Sequence, residues 1–155
     1  MVLVGGGLLV LVAITVWGQT DERRIEFEIL FRDPDRHSDL VEPFIVKIDT
    51  EDELAEFFKE HPRTIFAPGR TLPVLDFVDH MLLVIFYAPL PDSSYSMITQ
   101  RITVHDDVLV VHARKTISEG CGAVTVVSRP VHVVQTERID LDPELVIDER
   151  RVNCR

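Results

Sequence analysis

Lysine is nearly missing from this sequence. Three residues (Lys47, Lys59, Lys115) serve a chain of 155, and 16 Lys plus Arg face 26 Asp plus Glu. A net charge of −10 leaves no broad basic face to neutralise phosphates, which excludes nucleic acid as a class of partner. No basic run suits an anionic lipid surface either. Cysteine is scarce too: Cys121 and Cys154 are too few for a four-cysteine zinc site or an iron–sulfur cluster. Several motifs are absent: the G-x-S-x-G elbow, H-E-x-x-H and the phosphate-binding G-x-x-x-x-G-K. No cofactor and no metal are therefore expected. The acidic pairs Glu51-Asp52 and Asp106-Asp107 sit at a helix start and in a turn, where local hydrogen bonding already favours carboxylates.

What is present is a hydrophobic content of 46% in one domain's length, enough for a sizeable core. Residues 2–17, VLVGGGLLVLVAITVW, carry no charge. The run is short for a membrane span, which takes about 20 residues, and suits the apolar region of an export signal. Val16 and Gly18 flank a candidate cleavage point. Arg23 and Arg24 follow the run and no basic residue precedes it, which argues against a simple signal. Residues 1–18 are thus expected to be a signal peptide or membrane anchor of an exported protein (periplasmic, extracellular or anchored), with a buried element of the fold as the alternative. Contact with a membrane would come only through residues 2–17.

Export would place Cys121 and Cys154 in an oxidising compartment. Either they form a disulfide tying the C-terminal tail to the body, or they stay free. In the second case Cys121, set in SEGCG, is a candidate reactive thiol for a small enzyme.

Residues 19–42 form an acidic segment with one strand, in which Ile25, Phe27, Ile29 and Phe31 alternate with Glu26, Glu28, Leu30 and Arg32, the period-2 pattern of a strand with one buried face. The main domain, 43–140, opens with a short strand, Phe44–Ile48. Thr50 and Glu53 then make a capping box before a helix whose apolar stripe is Leu54, Phe57 and Phe58, ended by Pro62. Arg63–Pro73 reads as a loop. Met81–Tyr87 is uninterruptedly apolar, as a central strand covered on both faces would be. Tyr95–Val104 and Val108–Arg114 flank a hairpin turn at His105-Asp106-Asp107. Ala123–Val127 and Val131–Ile139 make a last pair around Ser128-Arg129-Pro130. The charged tail, 141–155, is expected to be loosely held. The fold class is mainly β (α+β): an antiparallel β-sandwich or barrel-like sheet with one packed α-helix.

Two candidate sites follow. His105, His112 and His132 lie on or beside neighbouring strands and would hold zinc if they converged; otherwise they are outward-facing strand residues. Three polar loops, around Ser93-Ser94-Tyr95, Glu119-Gly120-Cys121 and Arg129-Pro130, would cluster at one end of a sandwich and form a binding edge. Tyr95 and Arg129 are residue types that anchor interfaces, although each also has a structural reading, as a strand-starting aromatic and a solvated turn residue.

From Phe44 to Ile139 the chain resembles the C-terminal domain of the PrcB-like family, an accessory component of bacterial protease complexes. The pieces that carry the resemblance are EDELAEFFKEH, then LPVLDFVDHMLLVIF with Asp76 and Phe77 in the family's Asp-Phe positions. Ser93, Ser94, Tyr95 and Ser96 stand where the family has a Thr-Gly-Gly-Tyr-Ser loop, and Gly120-Cys121 and SRPVHVVQTERI close the match. The resemblance implies a non-enzymatic exported domain that associates with or stabilises a protease or another envelope protein. The loop order SSY, GCG and RPV is also similar to that of chagasin-type cysteine-peptidase inhibitors, with Val131 where those carry an aromatic. That similarity implies inhibitor activity as the alternative.

Overall fold

The computed structural model of the chain describes residues 22–35, 42–61 and 75–154, with backbone only for 33–35. Eight strands and one helix follow in the order β1 (Arg23–Ile25), β2 (Phe27–Asp35), β3 (Phe44–Ile48), α1 (Glu51–Glu60), β4 (His80–Phe86), β5 (Tyr95–His105), β6 (Val108–Glu119), β7 (Arg129–Glu137) and β8 (Pro143–Asn153). They form two four-stranded sheets, ordered β1-β5-β6-β8 and β2-β7-β4-β3. The architecture is the expected β-sandwich with a helix packed on it. One pairing departs from the antiparallel expectation: β8 runs parallel to β6 over eleven residues, from Leu109↔Pro143 to Glu119↔Asn153.

Strand β4 is the spine of the molecule. Its residues Met81 through Phe86 are all at most 2% exposed, because it has neighbours on both edges and cover on both faces. Met81, Leu83 and Ile85 point between the sheets, toward Met97, Ile102, Leu109, Val111 and Val134. Leu82, Val84 and Phe86 point the other way, into a second cluster beneath α1 with Ile48, Phe57, Val131 and Val133.

The helix forms where its sequence signals say. Thr50 caps it by accepting a hydrogen bond from Glu53 N at 3.2 Å. Glu53 reaches back to the amide of Asp49 (2.7 Å), one residue before the cap itself. Phe57 is buried, with its ring 6.1 Å from that of Phe86. The loop expected over Arg63–Pro73 lies outside the described residues, as do the leader and Pro62.

Five expectations about strands, a turn and the tail are corrected. Ile25–Phe31 is not one strand with a single buried face. The chain passes between sheets at Glu26, and a bulge between Ile29 and Phe31 then reverses the side-chain alternation. Phe27 and Ile29 therefore pack between the sheets, while Phe31 joins the cluster under the helix. Strand β6 runs on to Glu119, past the expected end at Arg114. Ala123–Val127 is not a strand, and Arg129-Pro130 is not a turn but the start of β7. The tail is not loose: β8 is a full sheet member, and the Cys121–Cys154 disulfide, with Cα atoms 5.5 Å apart, fastens its end. Cys121 thus carries no thiol here.

The hairpin turn is as expected. Asp106 and Asp107 both take positive φ (47° and 61°), the pair of left-handed conformations that a two-residue turn between twisted strands requires. Aspartate tolerates that region better than most residues.

Candidate functional site

Two of the loops named from the sequence, around Ser93-Ser94-Tyr95 and Glu119-Gly120-Cys121, gather at one pole of the sandwich, where β4 ends, β5 begins, β6 ends and β7 begins at Arg129. The first of them interlocks with the segment that follows Cys121. Ser93 N donates to the carbonyl of Val124 (3.1 Å), and Val124 N donates to Ser93 Oγ (2.8 Å). Leu90 and Ser128 exchange two backbone bonds, at 2.7 and 3.0 Å, a little farther in. Asp92 holds its own loop closed by accepting from both the amide and the hydroxyl of Ser94, an Asx turn. Ser118 N donates to Ser94 O at 2.8 Å, which brings the end of β6 against the same loop.

Tyr95, half-buried, starts β5 opposite Ile117, and Lys115 Nζ sits 5.3 Å from its ring centroid. The C-terminal end of β8 reaches the same pole, where Cys154 N donates to Glu119 O at 3.0 Å beside the disulfide. Gly120 turns the chain out of β6 with a φ of +77°, the left-handed region that glycine enters without steric cost.

Between Gly122 and Val127 the chain runs exposed. Val124, Val126 and Val127 are 65%, 48% and 52% exposed, an apolar cluster on a loop that is fixed by Ser93 rather than covered. In sequence those valines read as a strand, because β-branched residues in a row carry that propensity; the backbone here finds no ladder partner beyond Ser93 among the described residues. Ser93 and Ser94 lie at this pole, Ser93 bonded to Val124 and Ser94 to Ser118. Arg129 and Pro130 start β7 there. Pro130 is buried, its carbonyl accepting from Tyr87 N at 3.0 Å, so it is a strand residue and not a contact surface. Arg129 is half-buried, and its Nε finds no hydrogen-bond partner among the described residues.

The histidines do not converge. His105 pairs with Asp106 in the hairpin turn at 3.1 Å. His112 lies on the outer side of β6, 3.1 Å from Thr103 Oγ1, and burial with the Arg101 charge beside it lowers its pKa. His132 is fully buried between the sheets, contrary to the outward face expected from its valine neighbours. Those valines, Val131 and Val133, face the helix cluster, so both sides of β7 are interior and alternation no longer separates inside from outside.

A buried polar cluster, not anticipated from the sequence, surrounds His132. Its Nδ1 lies 2.9 Å from Thr99 Oγ1 and 3.4 Å from Thr99 N, and Tyr87 Oη is 2.8 Å from the same threonine hydroxyl. The Thr99 amide can only donate, so Nδ1 is an acceptor and the imidazole proton sits on Nε2. That Nε2 is buried without a hydrogen-bond partner among the described residues. Burial, then repulsion from Arg32, pushes the His132 pKa down to about 4. Burial likewise pushes the Tyr87 phenol up to about 12, so both rings are neutral over the physiological range. The cluster ties the chain just past β4 to β5 and β7 between the sheets through the Tyr87–Thr99–His132 contacts.

The described fold and rim define a small disulfide-bonded β-sandwich with an exposed apolar loop. The chain matches no family model, no curated protein and no solved structure.

Proposed function

We propose that this chain is an exported, non-catalytic accessory domain that binds or stabilises a protease or another envelope protein through the rim formed by Ser93, Ser94, Tyr95 and the loop 122–127. The observation that carries the reading is the reciprocal Ser93–Val124 bonding. It fixes three exposed valines beside a half-exposed tyrosine at one pole, and ordered apolar side chains are displayed to solvent at a cost that a partner would remove. Tyrosine is a residue type that anchors protein interfaces, and Tyr95 follows the Ser93-Ser94 loop directly. The Cys121–Cys154 bridge supports export, since such bonds persist in oxidising compartments. The resemblance to the PrcB-like accessory domain over Phe44–Ile139 supports the same role.

An inhibitor of the chagasin kind has less behind it. Its third loop would be Arg129-Pro130, and these residues lie inside β7, with Pro130 buried. A papain-like peptidase assay separates the two, since the inhibitor reading requires dose-dependent loss of peptidase activity.

Replacing Val124 and Val126 by aspartate tests the rim. Both side chains are exposed, so the thermal transition and the disulfide should persist while a cross-linked partner seen with the native chain is lost. An unchanged set of cross-linked proteins from the native envelope would refute the proposal.

A further inference from the structure

The sandwich has four edges, and three of them are blunted. Strand β1 is three residues long, β3 is five, and β2 carries both a bulge at Leu30 and Pro34. Short length, bulges and proline are the devices by which sheet edges avoid pairing with other chains. Strand β8 has none of these three, and the edge charges it does carry are of both signs, so they can pair across a ladder as well as repel. Its eleven residues keep unbroken register with β6, its only proline is the first residue, Pro143, and no described strand pairs with its other side. The disulfide and the Cys154–Glu119 bond hold its far end straight.

We propose that β8 is a docking edge for a second copy of this chain, joined antiparallel about a two-fold axis that passes Glu149. Such an axis stands perpendicular to the sheet and places each residue opposite one on the same face of the copy. With Glu149 at the centre, Asp148 faces Arg150 of the second copy, and Val146 faces Val152 of the second copy. Both pairs occur twice. Opposite charges and branched apolar residues directly across a ladder are the favourable cross-strand pairs. Val146, 40% exposed, gains cover in this way.

The charge order makes the second copy the fitting occupant. The run Asp148–Arg151 sums to zero and Glu144 leaves β8 with one net negative charge, in a chain of net charge −10, so two such chains meet at this edge with little added repulsion. The like pair at the axis is already neutralised. Each Glu149 is bonded by its own Lys115 and Arg151, both at 3.2 Å, and the Lys115 bond holds its carboxyl below its usual pKa.

Cysteine cross-linking in the full chain tests the register. Glu149→Cys puts two thiols across the axis and should give a disulfide-linked dimer on oxidation. Val146→Cys alone should remain single-chain, while Val146→Cys mixed with Val152→Cys should cross-link; this mixture carries the test if loss of Glu149 disturbs Lys115. Arg150→Glu added to Glu149→Cys sets like charges against Asp148 and should lower dimer yield about tenfold. Adding Asp148→Arg to that chain restores opposite charges across the ladder and should restore the dimer. The proposal is overturned if Glu149→Cys stays monomeric and the mixture fails to link, if Val146→Cys alone links as readily, or if the thiols link to a different protein.

Discussion

Acidification tests the buried cluster most directly. In the unfolded chain the His132 imidazole titrates near its ordinary 6.5, while between the sheets burial and Arg32 hold it at about 4. Between those two values the unfolded state binds a proton that the folded state refuses, so stability falls as pH drops through 6.5 and stops falling from this cause below about 4. At ~1.4 kcal/mol per pKa unit, the gap is worth about 3 kcal/mol, a large share of a small domain's ~5–15 kcal/mol. The side chain is 0% exposed, so solvent screening takes little from that figure. Urea unfolding followed by circular dichroism at closely spaced pH values from 7.5 to 4 measures it. His132→Gln supplies the baseline, since it keeps an acceptor near Thr99 and does not titrate. Carboxylates common to both proteins destabilise each alike on acidification, and the difference isolates the imidazole. The native chain should lose about 3 kcal/mol more than the variant over this window. Parallel pH profiles for the two proteins would show that His132 is solvated or protonated in the fold, and the assignment of Nε2 as a buried donor with no partner among the described residues would fail with it.

Two further outcomes follow from the packing. Reducing the disulfide, or replacing Cys154 by serine, opens a loop closed over 33 residues; the chain-entropy model puts the loss at about 3–4 kcal/mol, and hydrogen exchange should show new deprotection concentrated in Val146–Asn153. Exchange rates there that do not respond to reductant would contradict the role given to the bridge. Phe57→Ala removes the ring that seals the cluster under the helix, where Phe57 is 5% exposed. Thermal unfolding should register a loss of about 3–5 kcal/mol, and a loss below 1 kcal/mol would mean that α1 is not docked on β4 and β7 as described.

The rim and the β8 edge are separate surfaces built by one framework. Strand β6 ends at the rim and is also the parallel partner of β8, and the disulfide joins the loop after β6 to the end of β8. A partner of the proposed rim would meet a loop already held by Ser93 and the bridge, which would lower the ordering cost of association.

Local chemistry alone determined a good part of this molecule. Thr50 and Glu53 satisfy amides at the helix start wherever the helix lies, two aspartates adopt the positive φ of a tight hairpin, and a run such as Met81–Phe86 belongs in the interior of a sheet because no single face of it can meet water. Each of these rests on interactions spanning a few residues or on hydrophobicity without direction. Tertiary structure decided the rest. Leu145, Val146, Ile147 and Val152 lie among too many charges to announce a strand, and β8 exists because β6, remote in sequence, offers a ladder on one side. Val124, Val126 and Val127 have the propensity, but among the described residues no strand lies beside them. The bulge after Ile29 sends Phe31 to the opposite face, and His132 is interior because both faces of β7 are covered. A strand is defined by its neighbours' hydrogen bonds and burial by what lies across the sheet, and neither is written in the residue's own surroundings along the chain.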